Sequence, residues 1–171
     1  MNSKTRKLVL SAMLAALCCI ATMIIKIPSP LKGYINLGDC FVLICGWLLV
    51  PPYGALAAGI GSMLADVFSP YVIYAPITLV IKGMMTLIVF FADRMLGDKI
   101  GKLSARLTGS IMAEVFMIFG YFMFEGYMYG FVTSAANIPV NAVQGVAGLI
   151  LGILIMNTFD KYDITKKFFD R

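Results

Sequence analysis

Three amide side chains lie on one face of the last apolar stretch of the sequence. In NIPVNAVQGVAG, Asn137, Asn141 and Gln144 occupy positions i, i+4 and i+7, which fall on the same side of an α-helix. Amides offer hydrogen-bond donors and acceptors without a charge, which suits a neutral heterocyclic ligand. The same groups could instead join neighbouring helices. Because the stripe is confined to one end of the stretch, we interpret it as part of a ligand-binding site.

Other polar side chains stand where apolar stretches begin or end. Asn36 and Asp39 introduce one stretch in GYINLGDCFVLIC, and Tyr121 and Glu125 close another in FGYFMFEGYMYGF. Lys82 lies well inside a third stretch. Polar groups placed among apolar ones usually face a protein interior or a water-filled cavity. We therefore predict that these residues contribute to the same ligand site, with the Tyr121 ring placed to stack on a flat ligand.

Several of these acidic and basic residues also have a structural interpretation, which the sequence leaves open. Asp39 can cap the helix that begins beside it, because a carboxylate accepts hydrogen bonds from the first N–H groups of a helix. Lys82 can form an ion pair with Asp39 or Asp66, since an unpaired ammonium within a membrane is costly. Glu114 can bind a proton or, as we expect, have a partner within the helix bundle.

The sequence contains no group of residues typical of an enzyme or of a metal site. It has no histidine, no G-x-S-x-G elbow and no P-loop. Cys18, Cys19, Cys40 and Cys45 lie in or beside apolar runs, and none has the C-x-x-C spacing of a zinc ligand pair. We therefore expect no catalytic residues, no metal and no cofactor.

The composition is that of an all-α integral membrane protein. Hydrophobic residues make up 60% of the 171 residues, charged residues make up 13%, and the mean hydropathy is +0.89. A soluble domain of this size has no core large enough for so many apolar side chains. The net charge of +5 comes from basic residues in short connectors, a pattern of membrane orientation and not of nucleic-acid binding. Residues 1–171 are expected to form a single membrane domain.

Six apolar blocks predict six membrane-spanning helices, at residues 8–25, 37–50, 53–68, 72–91, 107–124 and 138–159. The second and third blocks are short, and Pro51 and Pro52 separate them. Eleven of the fourteen basic residues fall in connectors on the side of the N-terminus, so both termini are predicted to be cytoplasmic. The basic and then apolar start resembles a signal peptide, but the apolar run continues to Ile25, which favours an uncleaved first span.

Small residues spaced three or four apart mark helix faces that allow close approach. Ala12 and Ala16 form such a face on the predicted cytoplasmic half of the first span, where they could receive another subunit. Ala55, Gly59 and Ser62 form a similar face on the third span. The chain has no long polar segment for an ATPase, so nucleotide-driven transport would need a separate polypeptide.

Four stretches of the sequence resemble the substrate-binding S components of energy-coupling factor (ECF) vitamin transporters. They are the A-x-x-x-A face of the first span, GYINLGD, PPYGALAAGIGSMLADVFSPYVIYAPITLVIKG and IPVNAVQGVAG. The resemblance implies a six-helix protein of a bacterial plasma membrane that binds a micronutrient at the outer side. It also implies assembly with a transmembrane coupling protein, through Ala12 and Ala16, and with two cytoplasmic ATPases. Residues 28–36 would close over the substrate, which would contact mainly the fourth, fifth and sixth spans.

Within that family the sequence is most similar to the riboflavin-type superfamily and its pyridoxine or hydroxymethylpyrimidine branch. Riboflavin S components tend to carry a lysine where this chain has Gln144, which makes riboflavin the alternative ligand. Two other classes stay open on the sequence alone: a membrane scaffold of the cell-shape type, and an ion-coupled carrier that uses Glu114 or Asp66 as its proton site.

Overall fold

The computed structural model describes residues 3–25, 27–28 and 34–169, and within them the chain is almost entirely α-helical. A hairpin of two short antiparallel strands and one 3-10 turn interrupt the helices. In chain order the elements are α1 (Ser3–Ile24), β1 (Ile27–Pro28), β2 (Tyr34–Ile35), α2 (Gly38–Leu48), α3 (Tyr53–Val67), the 3-10 turn Val72–Tyr74, α4 (Ala75–Ile100), α5 (Lys102–Tyr129), α6 (Phe131–Ala135), α7 (Ile138–Lys161) and α8 (Ile164–Phe169).

Within the described residues, four helical segments are long and apolar enough to cross a membrane: Lys4–Ile24, Val72–Ile100, Lys102–Tyr129 and Phe131–Lys161. The two shorter apolar helices, α2 and α3, have 11 and 15 residues, which is less than the roughly 20 that a spanning helix needs. Because nearly all described residues are helical, the all-α prediction is confirmed. Six membrane-spanning helices with cytoplasmic termini stay a prediction, as does the single domain.

The break expected at Pro51 and Pro52 falls between α2 and α3, and the peptide bond between these two prolines is cis. A proline has no backbone N–H and cannot continue the hydrogen-bond ladder of a helix. The predicted closing segment, residues 28–36, is only partly described. Its end contains β2 and Asn36, whereas residues 29–33 lie outside the described residues.

The helices α4 and α5 are longer than the apolar blocks from which they were predicted. They continue through the charged residues after position 91 and before position 107, and Gly101, with a φ of +84°, is the single residue between them. A connector was expected there because hydropathy marks only the part of a helix that lies in lipid. Lysine and arginine are good helix formers, so the helices extend into the charged segment.

The short helix α2 lies at the centre of the bundle. It packs against α1, α3, α4 and α7, and of its 11 residues only Phe41 is not buried. Its apolar side chains form much of the core, with Leu43, Ile44 and Trp47 at most 1% exposed. Because α2 is surrounded by protein, its polar residues can be buried among other helices without facing lipid.

Close packing of α7 on α2 depends on Gly148. A Cβ atom at this position would lie 2.6 Å from Cβ of Asp39 and 3.2 Å from the backbone N of Cys40. We expect Gly148→Ala to lower the free energy of unfolding by about 1 to 3 kcal/mol, because the added methyl group forces the two helices apart. Thermal unfolding of the detergent-purified protein measures the change.

Gly97→Ala is the matched control for this prediction. Gly97 lies inside α4, and a Cβ atom there would have no neighbour within 4 Å. Alanine has a better helix propensity than glycine by about 1 kcal/mol, so this variant is expected to be slightly more stable. A Gly148→Ala protein as stable as Gly97→Ala would contradict this close packing of α7 on α2.

Candidate ligand-binding site

A cavity lies at the end of the bundle where α2, α4 and α7 begin and where α3 and α5 end. Its empty volume is about 480 Å³, including its opening to the exterior of the bundle. Four tyrosine rings and several amide, hydroxyl and charged groups line it, a mixture suited to a small ligand with a flat ring. The lining residues are Thr22, Tyr34, Asn36, Ser62, Asp66, Tyr71, Tyr74, Thr78, Lys82, Tyr121, Glu125, Asn141 and Gln144.

A buried ion pair between Asp39 and Lys82 borders this cavity. Lys82 Nζ donates to Oδ1 of Asp39, and the two side chains are 4% and 0% exposed, the lysine first. The same Nζ lies 2.9 Å from Sδ of Met117 and 5.6 Å from the centre of the Tyr121 ring. Each charge would be costly without the other inside the bundle. Because Lys82 already forms an ion pair with Asp39, it is not a free cation for an anionic ligand.

Gln144 connects α7 to α2 and to the segment that follows β2. Its Nε2 donates to Oδ2 of Asp39 at 2.7 Å, and its Oε1 accepts from both the backbone N–H and the side-chain amide of Asn36, each at 3.0 Å. Asn36 Oδ1 in turn accepts from the backbone N–H of Gly38 at 2.9 Å. The hydrogen bond to Asn36 satisfies the N–H of Gly38, one of the backbone donors that have no partner within the first turn of α2. Asn36, Asp39 and Gln144 thus form one continuous hydrogen-bond network.

A second polar cluster surrounds Glu125 near the end of α5. Glu125 accepts from the hydroxyl of Tyr74 at 3.3 Å and from the side-chain amide of Asn137 at 2.9 Å. Asn137 directly precedes α7 and is 3% exposed, so its amide joins α5 to α7 and does not line the cavity. Tyr121 contributes its ring to the wall, and its hydroxyl pairs with that of Thr78 at 3.1 Å.

Asn141 is the amide of the stripe that stays open to the cavity. It is half-buried, lines the cavity, and its side chain makes no hydrogen bond to any residue that the structure describes. One amide group carries two donors and an acceptor, so Asn141 can bind either kind of polar group on a ligand.

A wall formed by α1, α3 and β2 completes the cavity, and none of its residues was predicted as part of the site. The Tyr34 hydroxyl donates to Oδ1 of Asp66 at 2.7 Å, and burial raises the pKa of Tyr34, which keeps the phenol protonated as a donor. Thr22 and Ser62 lie in the same wall. Ser62 and Asp66 are four residues apart on α3, so they lie on the same face of that helix. This spacing of two polar residues could have identified α3 as a wall of the site from the sequence.

Six of the eight predicted site residues line the cavity: Asn36, Lys82, Tyr121, Glu125, Asn141 and Gln144. The other two, Asp39 and Asn137, lie behind it and hold residues that do line it. Contact of any of the eight with a ligand stays a prediction. The interpretation of Asp39 as a helix cap is wrong, because Leu37 is the capping residue of α2 and both carboxylate oxygens of Asp39 face Lys82 and Gln144.

The predicted partner of Glu114 within the bundle is not a hydrogen-bonding residue of the described part of the chain. It is 6% exposed, and neither carboxylate oxygen makes a hydrogen bond to another described residue. Its side chain packs on α7 at Gly145, where a Cβ atom would lie 2.8 Å from Oε2. Asp39 and Lys82 are close enough to interact with it electrostatically.

The predicted docking residues Ala12 and Ala16 lie on an exposed face of α1. Larger apolar side chains flank them, with Val9, Met13 and Ile20 between 48% and 52% exposed. The face is therefore open to lipid or to another subunit, and its role in docking stays a prediction.

Comparison with known proteins identifies the family. Residues 2–161 match the model of the family described as ECF-type riboflavin transporter, S component. The chain is 34% identical over 134 residues to a protein of Pyrococcus woesei described as an uncharacterized protein in the gap 3' region, with 78% of this chain and 87% of that protein covered. It is 23% identical over 169 residues to the thiamine precursor transporter HmpT of Lactococcus lactis subsp. cremoris strain MG1363, covering 98% of this chain and 95% of HmpT.

The fold has a solved counterpart in the S component of a bacterial ECF transporter. The two structures superpose with a TM-score of 0.71 over 94% of this chain and 98% of that chain, at 20% sequence identity. Proteins of this family are substrate-binding membrane subunits that work with a membrane coupling component and ATPases, and they are not enzymes. The resemblance found in the sequence is confirmed: the chain belongs to the family of ECF-type riboflavin transporter S components.

Proposed function

We propose that this chain binds a small heterocyclic alcohol of the hydroxymethylpyrimidine or pyridoxine type for import by an ECF transporter. The observation that carries this proposal is the cavity with its tyrosine walls and its open amide, Asn141. The similarity to HmpT, a thiamine precursor transporter, supports the same ligand class. Tyrosine rings can pack on the faces of an aromatic ligand while polar side chains bind its edges.

The size of the cavity favours a ligand with one ring. Its empty volume of about 480 Å³ includes the opening, so the enclosed part is smaller. A single pyrimidine or pyridine with short substituents suits such a space better than riboflavin, which combines three fused rings with a long polyol chain. Gln144, which is bound on both sides by Asn36 and Asp39, also has little freedom to move aside for a larger ligand.

The charges in the cavity favour an unphosphorylated ligand. Among the described lining residues the one cation is Lys82, and Asp39 already neutralises it. Asp66 and Glu125 add acidic groups to the same walls. A phosphate bound there would lack the arginine or lysine partners that anion sites normally provide. An alcohol or an amine has no such requirement.

The same proposal includes the arrangement of the chain in the membrane. Six helices would cross a bacterial plasma membrane, with the two short ones shielded by their neighbours and both termini in the cytoplasm. Ala12 and Ala16 on the exposed face of α1 would contact the transmembrane coupling protein, and two cytoplasmic ATPases would complete the transporter. Residues 28–36, which lead into the cavity wall at Asn36, would cover the bound ligand.

Replacing Asn141 by alanine tests the ligand site without disturbing the polar network around it. Because the side chain makes no hydrogen bond to a described residue, we expect the variant to fold with unchanged stability. Loss of one or two hydrogen bonds to the ligand should weaken binding by about fivefold to thirtyfold. Calorimetric titration of hydroxymethylpyrimidine into the purified protein measures this change.

Asn157→Ala is the matched control, because Asn157 is an exposed asparagine on the same helix, α7, toward its other end. It should bind the ligand as the unmodified protein does. Equal affinities of the Asn141→Ala and Asn157→Ala proteins for hydroxymethylpyrimidine would argue against a ligand at Asn141.

A further inference from the structure

Ser62 carries a buried hydroxyl group for which the described part of the chain provides no hydrogen-bond partner. Its side chain is 1% exposed, and its Oγ makes no hydrogen bond to any described residue. Other buried hydroxyls in helices bond to a carbonyl one turn earlier, such as Thr22 to Cys18 and Ser110 to Arg106, both at 2.7 Å. A buried polar group without a partner is costly, and native proteins contain few of them.

The position of Ser62 shows where a partner would be. Ser62 lines the cavity, and Asp66, one helical turn further along α3, lines the same wall. The Asp66 carboxylate accepts the Tyr34 hydroxyl through Oδ1, which orients it within that wall. The α3 wall thus combines a hydroxyl, which can donate or accept, with a carboxylate, which accepts.

We propose that Ser62 and Asp66 form a subsite for the amine edge of an aminopyrimidine, which would make this chain select an aminopyrimidine over a pyridine alcohol. The inference rests on the proposed function and narrows it to one ligand class. An exocyclic amine beside a ring nitrogen presents a donor next to an acceptor. The amine would donate to Asp66, and the Ser62 hydroxyl would donate to the ring nitrogen. A pyridoxine-type ring has no amine to offer to this wall.

Discrimination between three probes tests this subsite in the purified full-length chain. The first is a methylpyrimidine with one hydroxymethyl group and one exocyclic amine, the second is the same compound with hydrogen in place of the amine, and the third is pyridoxine. We expect calorimetric titration to show the first binding at least about tenfold more tightly than the other two, because only its amine adds a charge-assisted hydrogen bond to the buried Asp66 carboxylate.

Variants of the wall should weaken binding in two distinct ways. Asp66→Asn is expected to weaken binding of the amine probe by about tenfold and to leave binding of the second probe within about twofold, because only the amine contacts Asp66. Ser62→Ala is expected to weaken binding of both pyrimidine probes by about tenfold, because both keep the ring nitrogen that accepts from Ser62. Ser110→Ala is the matched control, because Ser110 is fully buried on α5 but already bonds to a helix carbonyl. Its affinity for all three probes should not change.

The outcomes separate this inference from the function on which it rests. If a probe binds but the amine gives no advantage, or if Ser62→Ala binds the amine probe like the unmodified protein, the subsite is wrong and the proposed function stands. If no probe binds to the folded protein, the proposed function and the subsite both fail. If Asp66→Asn does not fold, the Ser62→Ala protein decides the question alone.

Discussion

Replacing Lys82 by methionine is expected to lower the free energy of unfolding by about 3 to 5 kcal/mol, because the change leaves the Asp39 carboxylate buried without its counter-charge. Asp39 is 0% exposed, and its ion pair with Lys82 joins α2, at the centre of the bundle, to α4. Methionine keeps the length and apolar stem of lysine, so the loss reports on the charge. Thermal unfolding of the detergent-purified protein measures the effect.

Two variants show whether the ion pair causes this loss. Lys99→Met removes an exposed lysine from the same helix, α4, and should change stability by less than about 0.5 kcal/mol. The double variant with Asp39→Asn and Lys82→Met no longer contains an unpaired charge and should recover part of the lost stability. A Lys82→Met protein that unfolds at the same temperature as Lys99→Met would show that the pair does not stabilise the bundle.

Replacing Gln144 by leucine should have the next largest effect, a loss of more than about 2 kcal/mol of stability and of most ligand binding. Leucine removes the donor to Asp39 and the acceptor for Asn36, so buried polar groups on two other elements lose their partners together. The wall segment after β2 would also lose its attachment to α7. Thermal unfolding and calorimetric titration of hydroxymethylpyrimidine measure the two consequences.

Asn157→Leu provides the comparison for this substitution. It places a leucine at an exposed amide position on the same helix and should keep both stability and affinity. If Gln144→Leu were as stable as Asn157→Leu and bound hydroxymethylpyrimidine equally well, the network around Gln144 would have no structural role.

The sequence predicted which elements bring polar groups together, because helical spacing and the cost of polar groups in lipid leave few arrangements. It did not predict how deep each group lies. Asn137, Asn141 and Gln144 share one face of α7, yet Asn137 bonds to Glu125 and lies behind the cavity, whereas Asn141 and Gln144 line it. Gln144 already bonds to Asp39, so Asn141 alone of the three has a side chain without a hydrogen bond to a described residue. Periodicity places residues around a helix axis but does not show which neighbours reach them.

The α3 wall was missed for a different physical reason. Ser62 was interpreted as a small residue on a packing face with Ala55 and Gly59, and serine suits both a close helix contact and a ligand contact. In the structure Gly59 does pack closely, since a Cβ atom there would lie 2.7 Å from the carbonyl oxygen of Leu79, while Ser62 lines the cavity. The two roles differ only in the three-dimensional neighbours of each residue.

The lengths of helices were also only partly predictable. Hydropathy located α1, α2, α3, α4, α5 and α7, and the prolines located the break between α2 and α3. It could not show that α4 and α5 continue as helices through charged residues to Gly101. The short hairpin of β1 and β2 was not predicted either, because strands of two residues carry no periodic signal.

Calorimetric titration of a panel of B vitamins and their precursors into the purified full-length chain tests the central claim most directly. We expect saturable binding of one hydroxymethyl aminopyrimidine per chain, with riboflavin binding much more weakly or not at all. A folded protein that binds no member of the panel, or that binds riboflavin most tightly, would contradict the assignment of this cavity to a single-ring heterocyclic alcohol.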